Sequence, residues 1–109
     1  MKFVVERDPL IDAVNWVARS LSSRPIQTAL LGIMIDVNDS ITLTGSDLET
    51  STKAIINADI ATKGKVLVPG RLLAEIARSL PAKPITFVLD GTRVLVSAGS
   101  AKFTLPTLP

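Results

Sequence analysis

The chain has 109 residues, enough for one domain with a single hydrophobic core. Its composition, 47% hydrophobic and 20% charged, is typical of globular proteins and excludes an intrinsically disordered chain. The sequence has no Cys and no His, so disulfide bonds, thiolate metal sites and the most common general base are all excluded.

The net charge of +2 is too small to indicate a partner, so any binding of nucleic acid must depend on where the basic residues lie. The amino terminus lacks the apolar core of a secretory signal, because charged residues from Glu6 onward follow a short apolar run. The longest apolar run, residues 29–35, is too short to span a bilayer. We therefore expect a cytoplasmic protein.

The first half of the chain predicts one helix among short strands. A strand at residues 3–5 precedes the helix, which has Asp8 as its N-cap and Pro9 at its first helical position. Residues 22–25 end it, and strands follow at 30–37, 41–44 and 48–58. The intervening Gly-Ser-Asp, residues 45–47, predicts a tight hairpin turn. Apolar residues three and four apart give the helix one buried stripe: Leu10, Ala13, Val14, Val17, Ala18 and Leu21.

The second half predicts another helix, again followed by strands. A strand at 64–68 leads into a helix at 71–80, which residues 81–84 end. Gly91 and Gly99 mark the turns between the closing strands, which lie at 85–89, 94–97 and 101–105. The buried positions of the second helix are Leu72, Leu73, Ile76, Ala77 and Leu80.

The order of these elements predicts an α+β fold, with two helices packed on one face of antiparallel sheet. It is a β-α-β-β-β unit repeated twice, although the two halves are too different in sequence to establish a repeat. We therefore expect residues 1–109 to form one domain.

Catalytic chemistry has little support in the sequence. Asp47 and Glu49 are the closest pair of carboxylates in the predicted hairpin, but a turn residue and a solvated strand residue explain them better than an acid–base pair. The sequence has no glycine-rich phosphate loop, no nucleophile elbow and no metal-ligand spacing. We expect no catalytic residue, no metal and no cofactor, and a small hydrolase is the weakest of the functions considered.

Recognition of bases by stacking is also poorly supported. Phe3, Phe87 and Phe103 lie in alternating strands where core packing explains them, and Trp16 lies beside the buried stripe of the first helix.

Contact with phosphates remains open. Arg24 follows the first helix, Arg71 begins the second, and Arg78 shares an exposed stripe with Arg71 and Glu75. Solvated arginines whose stems cover apolar surface would give the same pattern, and Arg24 could instead bond the carbonyls at a helix end.

Three segments in register resemble one protein family. They are Leu-Thr-Gly-Ser-Asp-Leu-Glu at 43–49, Met-Lys-Phe-Val-Val-Glu-Arg at 1–7, and Val-Pro-Gly-Arg-Leu-Leu at 68–73, which leads into Ile-Ala-Arg-Ser-Leu-Pro at 76–81. The sequence of these segments resembles the first domain of the bacterial DNA polymerase III beta subunit, the sliding clamp, and the resemblance extends over the whole chain. The resemblance implies a DNA-clamp domain, the first of three in a subunit, with its two helices side by side on the inner wall of a ring.

The resemblance also implies a function. Two subunits would close head to tail around duplex DNA and slide on it through sequence-independent phosphate contacts, as a non-catalytic processivity factor of the replicative polymerase. Arg24 and Arg71 match positions where the family contacts DNA, whereas Arg19 and Arg78 are candidates only because of the way they face. The polymerase and the clamp loader would bind later domains that this chain does not contain.

The last strand is the candidate subunit interface. Phe103 and Leu105 match apolar residues that the family places at the subunit boundary, and Lys102 matches a basic residue nearby. Core burial would explain Phe103 as well. The alternative function is a generic α+β interaction module that pairs with a partner through an exposed sheet edge.

Overall fold

Two antiparallel sheets and two helices make up the part of the chain that the structure, a computed structural model, describes: residues 1–18, 32–46 and 51–108. The elements in chain order are β1 (Lys2–Val5), α1 (Arg7–Ala18), β2 (Gly32–Val37), β3 (Ile41–Ser46), β4 (Ser51–Ile56), β5 (Asp59–Thr62), β6 (Gly64–Pro69), α2 (Gly70–Ser79), β7 (Ile85–Asp90), β8 (Arg93–Ala98) and β9 (Ala101–Pro106). The predicted turn at Asp47 and the end of the first helix beyond Ala18 lie outside these residues.

Each half of the chain contributes its first strand to the sheet formed by the other half. One sheet has the order β5-β1-β7-β8-β9 and the other β4-β3-β2-β6, so β1 pairs with the second half of the chain and β6 with the first. The stacked rings of Phe3 in β1 and Phe87 in β7, with centroids 4.7 Å apart, lie at one of these exchanged pairings. The predicted α+β class and the twofold β-α-β-β-β order are confirmed.

The single predicted strand at 48–58 is wrong in one respect. The structure has β4 there, followed by a separate strand, β5, which joins the other sheet by pairing with β1. Ile56 is buried at the end of β4, and the chain then crosses between sheets before β5 begins at Asp59. The twofold repeat therefore contains one additional strand, and the helices pack against two sheets instead of one.

The start of α1 also differs from the prediction. The helix begins at Arg7, and the backbone N–H of Leu10 donates to the carbonyl oxygen of Glu6 at 3.3 Å. Asp8 is therefore a residue of the first turn and not the N-cap. Pro9 still fits, because backbone N–H groups of the first turn have no partner within the helix.

Gly45 is a strand residue and not a turn residue. It lies in β3 and pairs with Thr52 of β4, while α1 passes directly over it. A Cβ atom at this position would overlap the carbonyl oxygen of Val17. Glycine is needed at residue 45 because the helix backbone approaches the sheet too closely for any side chain.

Both helices contribute a buried stripe to one core. Leu10, Val14 and Val17 of α1 pack with Leu73 and Ile76 of α2 in the same cluster as the sheet interiors. The opposite faces of the two helices are left exposed. Within the described ranges, no helix is long and apolar enough to cross a membrane.

Candidate nucleic-acid interface

The exposed faces of α1 and α2 form one surface, here called the helix wall. The helices run antiparallel, since Arg7 in the first turn of α1 donates from Nε to the carbonyl oxygen of Leu80, just past α2, at 2.7 Å. At the other end, Ala18 of α1 and Arg71 of α2 line a common groove of about 320 Å³. Each end of the wall therefore combines residues from both helices.

Arg71 lies at the amino-terminal end of α2, where the helix has no acidic residue in its first turn. Pro69 occupies the N-cap position and makes no side-chain hydrogen bond to the helix. The first N–H groups of α2 thus have no side-chain cap, and the positive end of the helix dipole lies beside an exposed guanidinium. This combination favours an anion such as phosphate.

Arg78 lies in the last turn of α2, on the same exposed stripe as Arg71. Its surroundings are different, because it also lines a groove of about 570 Å³ with Arg7, Asp8, Ile11 and Asp12 of α1. Two carboxylates therefore face Arg78 from the neighbouring helix.

The structure thus confirms that Arg71, Glu75 and Arg78 share one exposed face, as the helical spacing predicts. Arg19 and Arg24 lie outside the described residues. The sequence alone did not predict that Asp8 and Asp12 line the groove that contains Arg78. The sequence predicts only a capping role for Asp8, and the signal that points to both carboxylates is their four-residue spacing on one helix face.

The candidate subunit interface lies on β9, which pairs on one side with β8 and ends its sheet within the described residues. Lys102 is exposed, and Phe103 is partly buried against the core. Leu105 has 0% exposure and is a core residue. Its side chain is therefore not on the surface where a partner would bind, so the predicted direct interface contact at Leu105 needs correction, whereas Phe103 and Lys102 remain accessible.

Beyond β9 the chain moves from one sheet to the other. The backbone N–H of Thr107 donates to the carbonyl oxygen of Thr92 at 3.0 Å, and that of Leu108 to the carbonyl oxygen of Leu67 in β6 at 2.8 Å. The edge of β6 is thus occupied at Leu67, while the outer edge of β9 has no paired strand in the described part of the chain.

The described residues contain no group of three or more acidic side chains that could hold a metal ion. Asp47 and Glu49, the carboxylates considered for catalysis, lie outside these residues.

Comparison with known proteins identifies the fold and the family. The model of one family, the DNA polymerase III beta subunit N-terminal domain, matches residues 1–109. The beta sliding clamp of Micrococcus luteus is 51% identical over 110 residues, which cover 100% of this chain and 36% of that protein. The beta sliding clamp of Escherichia coli K12 is 37% identical over 112 residues, covering 100% of this chain and 31% of that protein.

Solved structures agree with these matches. A DNA polymerase sliding clamp from Bacillus subtilis superposes with a TM-score of 0.95 at 28% identity, covering 99% of this chain and 31% of that one. The DNA polymerase III subunit beta from Pseudomonas aeruginosa gives a TM-score of 0.94 at 33% identity, covering 100% and 30%. The chain spans about a third of the length of the Micrococcus luteus and Escherichia coli relatives. Since the family model matches every residue, the chain belongs to the family of DNA polymerase III beta subunit N-terminal domains.

Proposed function

We propose that this chain is the first of three domains in a sliding clamp, a processivity factor that encircles duplex DNA for a replicative polymerase. Family membership supports this function, and so does the share of the relatives that the chain covers. A domain that accounts for 31% of the Escherichia coli protein fits one of three domains of similar size.

The observation that best supports contact with DNA is the position of Arg71. Its guanidinium is exposed on the helix wall, at the uncapped amino-terminal end of α2. This placement suits contact with a phosphate group and offers no pattern for reading a base. Arg24 and Arg19 are proposed to add contacts of the same kind.

The proposed mechanism is topological and non-catalytic. A closed ring that encircles the duplex can leave it only by opening or by reaching an end, so weak phosphate contacts suffice and still allow sliding. The net charge of +2 is consistent with such weak contacts. The polymerase and the clamp loader are proposed to bind later domains, the domain itself to need no cofactor or metal, and the protein to act in the cytoplasm.

Ring closure is proposed to use the edge of β9. Lys102 and Phe103 lie where a second subunit could add a strand to this sheet, with Leu105 packing behind them in the core. The alternative function, a generic module that binds a partner through a sheet edge, uses the same feature. Family membership favours the clamp over this alternative, because it accounts for the helix wall as well as the edge.

The test compares Arg71→Ala with Arg93→Ala in the full-length subunit. Arg93 is also exposed but lies in β8 and lines neither groove of the helix wall. Binding of a labelled short duplex is measured as a function of salt. Arg71→Ala should reduce the slope of log K against log salt by about 0.9, equally on duplexes of different sequence, because one counterion release is lost. Arg93→Ala should leave the slope unchanged, and equal effects of both substitutions would contradict the proposal.

A further inference from the structure

We propose that Arg71 and Arg78 are unequal contacts for DNA, because Asp8 and Asp12 of α1 neutralise the groove around Arg78. The inference rests on the proposed function and goes beyond it by assigning a role to two carboxylates. Contact with phosphate is then concentrated at the Arg71 end of the helix wall.

The two ends of the wall differ in what α1 contributes. Next to Arg71, the residue of α1 that lines the groove is Ala18, which has no charge. Glu75 lies in this groove with both Arg71 and Arg78, so it weakens the field at both and does not distinguish them. Among the side chains that line the two grooves, the difference between the two arginines therefore comes from α1 and adds to the effect of the α2 dipole.

Next to Arg78, the groove contains two arginines and two aspartates: Arg7, Arg78, Asp8 and Asp12. Their formal charges cancel. Arg7 and Asp8 pair with each other, with Nη1 3.2 Å from Oδ1, so neither adds a net charge and Asp12 is left to offset Arg78. Charges that line one groove act together on an anion that enters it, and at physiological salt such charges are screened over a Debye length of about 8 Å. A phosphate approaching Arg78 therefore meets the carboxylates as well.

The helix itself gives a reason to look for a role for Asp12. Asp8 lies in the first turn of α1, where a negative charge interacts favourably with the helix dipole and stabilises the helix. Asp12 is one turn further along and four residues from Asp8, a spacing at which like charges repel each other and destabilise a helix. Asp12 is exposed, and no ion pair of this side chain is found among the described residues. Neutralisation of the Arg78 end of the wall accounts for a carboxylate that does not help α1.

The consequence is an asymmetric path for the duplex. Phosphates are attracted at the Arg71 end, where the α2 dipole adds to the guanidinium, and are neither attracted nor held at the Arg78 end. Because only one end of the helix wall contacts phosphate, the number of phosphate contacts stays small, which suits a ring that must move along DNA.

A double-mutant cycle in the full-length subunit tests the inference by the salt dependence of binding to one labelled duplex. In the wild-type background, Arg71→Ala should reduce the slope by about 0.9 and Arg78→Ala should leave it unchanged. The pair Asp8→Asn and Asp12→Asn should tighten binding at low salt. In that background, Arg78→Ala should reduce the slope by about 0.9, because the guanidinium is now free to act on phosphate.

The matched control replaces two exposed aspartates elsewhere, Asp59→Asn with Asp90→Asn, which changes the net charge by the same amount. These residues line neither groove of the wall. The inference is overturned if the control tightens binding as much as the Asp8 and Asp12 variant, or if Arg78→Ala reduces the slope in the wild-type background as much as Arg71→Ala does. Either result leaves an effect of Arg71→Ala intact, so it is distinct from failure of the proposed function, in which Arg71→Ala itself has no effect. Urea denaturation of each variant confirms that it is folded.

Discussion

The Nε atom of Arg7 donates a hydrogen bond of 2.7 Å to the carbonyl oxygen of Leu80, joining residues 73 positions apart in the sequence. This bond fastens the first turn of α1 to the residue that follows α2. Together with the buried side chains that both helices share, it holds the carboxylates of α1 in one groove with Arg78 of α2. The charge pattern of the helix wall therefore depends on this bond as well as on the shared core of the two helices.

We predict that Arg7→Ala lowers the free energy of unfolding by about 1–3 kcal/mol, because the partly buried carbonyl of Leu80 loses its hydrogen-bond donor. Urea denaturation of the 109-residue chain measures the effect. Arg93→Ala, an exposed arginine on β8, is the control and should change stability by no more than about 0.5 kcal/mol. A stability loss no larger than that of the control would show that the bond does not fasten the helices.

The sequence predicted the helices well because their signal is local. The spacing of Leu72, Leu73, Ile76 and Ala77 predicted a helix at 71–80, and the structure has α2 at Gly70–Ser79. The same spacing placed Arg71 and Arg78 on the exposed face. Their contact with DNA is a prediction that neither the spacing nor the fold alone decides.

Features that depend on long-range packing could not be predicted in this way. Strand β5 has one partly buried residue, Ile60, and forms because β1 provides a partner from the start of the chain. Gly45 suggested a turn because glycine is common in turns, whereas the actual cause is the approach of α1 at Val17. The presence of Asp12 and Arg78 in one groove likewise requires the antiparallel arrangement of two helices that are distant in sequence.

The contact between α1 and β3 gives a second stability prediction. Gly45→Ala should lower the free energy of unfolding by about 1–3 kcal/mol, because its methyl group would overlap the backbone carbonyl of Val17 and force the helix away from the sheet. Gly64→Ala is the matched control in another strand, since its added Cβ would lie 2.9 Å from a side-chain atom, the Cβ of Met1, and would not meet a helix backbone. Urea midpoints for both variants decide the point. Equal losses would mean that the close approach of α1 is not what requires glycine at residue 45.

Phe103 tests the proposed ring closure. In the full-length protein, Phe103→Ala should weaken dimerisation by about 2 kcal/mol or more if the partly exposed ring is an interface anchor. Lys102→Glu, which reverses an exposed charge, should weaken the dimer without lowering the stability of the domain. Sedimentation across a dilution series measures the dimer dissociation constant of each variant.

Leu105→Ala is the control for Phe103, because it truncates a neighbouring side chain of the same strand that has 0% exposure. It should lower the free energy of unfolding by about 2–5 kcal/mol and weaken the dimer less than Phe103→Ala does. Should the loss of dimer simply follow the loss of stability across the two variants, Phe103 is a core residue and the edge of β9 is not the interface.

Encirclement of DNA is tested most directly by retention on a circle. The labelled full-length subunit is loaded by its clamp loader onto a nicked circular plasmid, the salt is raised until binding to a short linear duplex is lost, and the plasmid is then cut once with a nuclease. We predict that the protein stays on the intact circle at this salt and leaves after the cut. A ring that encircles DNA can slide off a free end, and an intact circle has no free end. Equal dissociation from the circle and from the cut plasmid would contradict the sliding-clamp function.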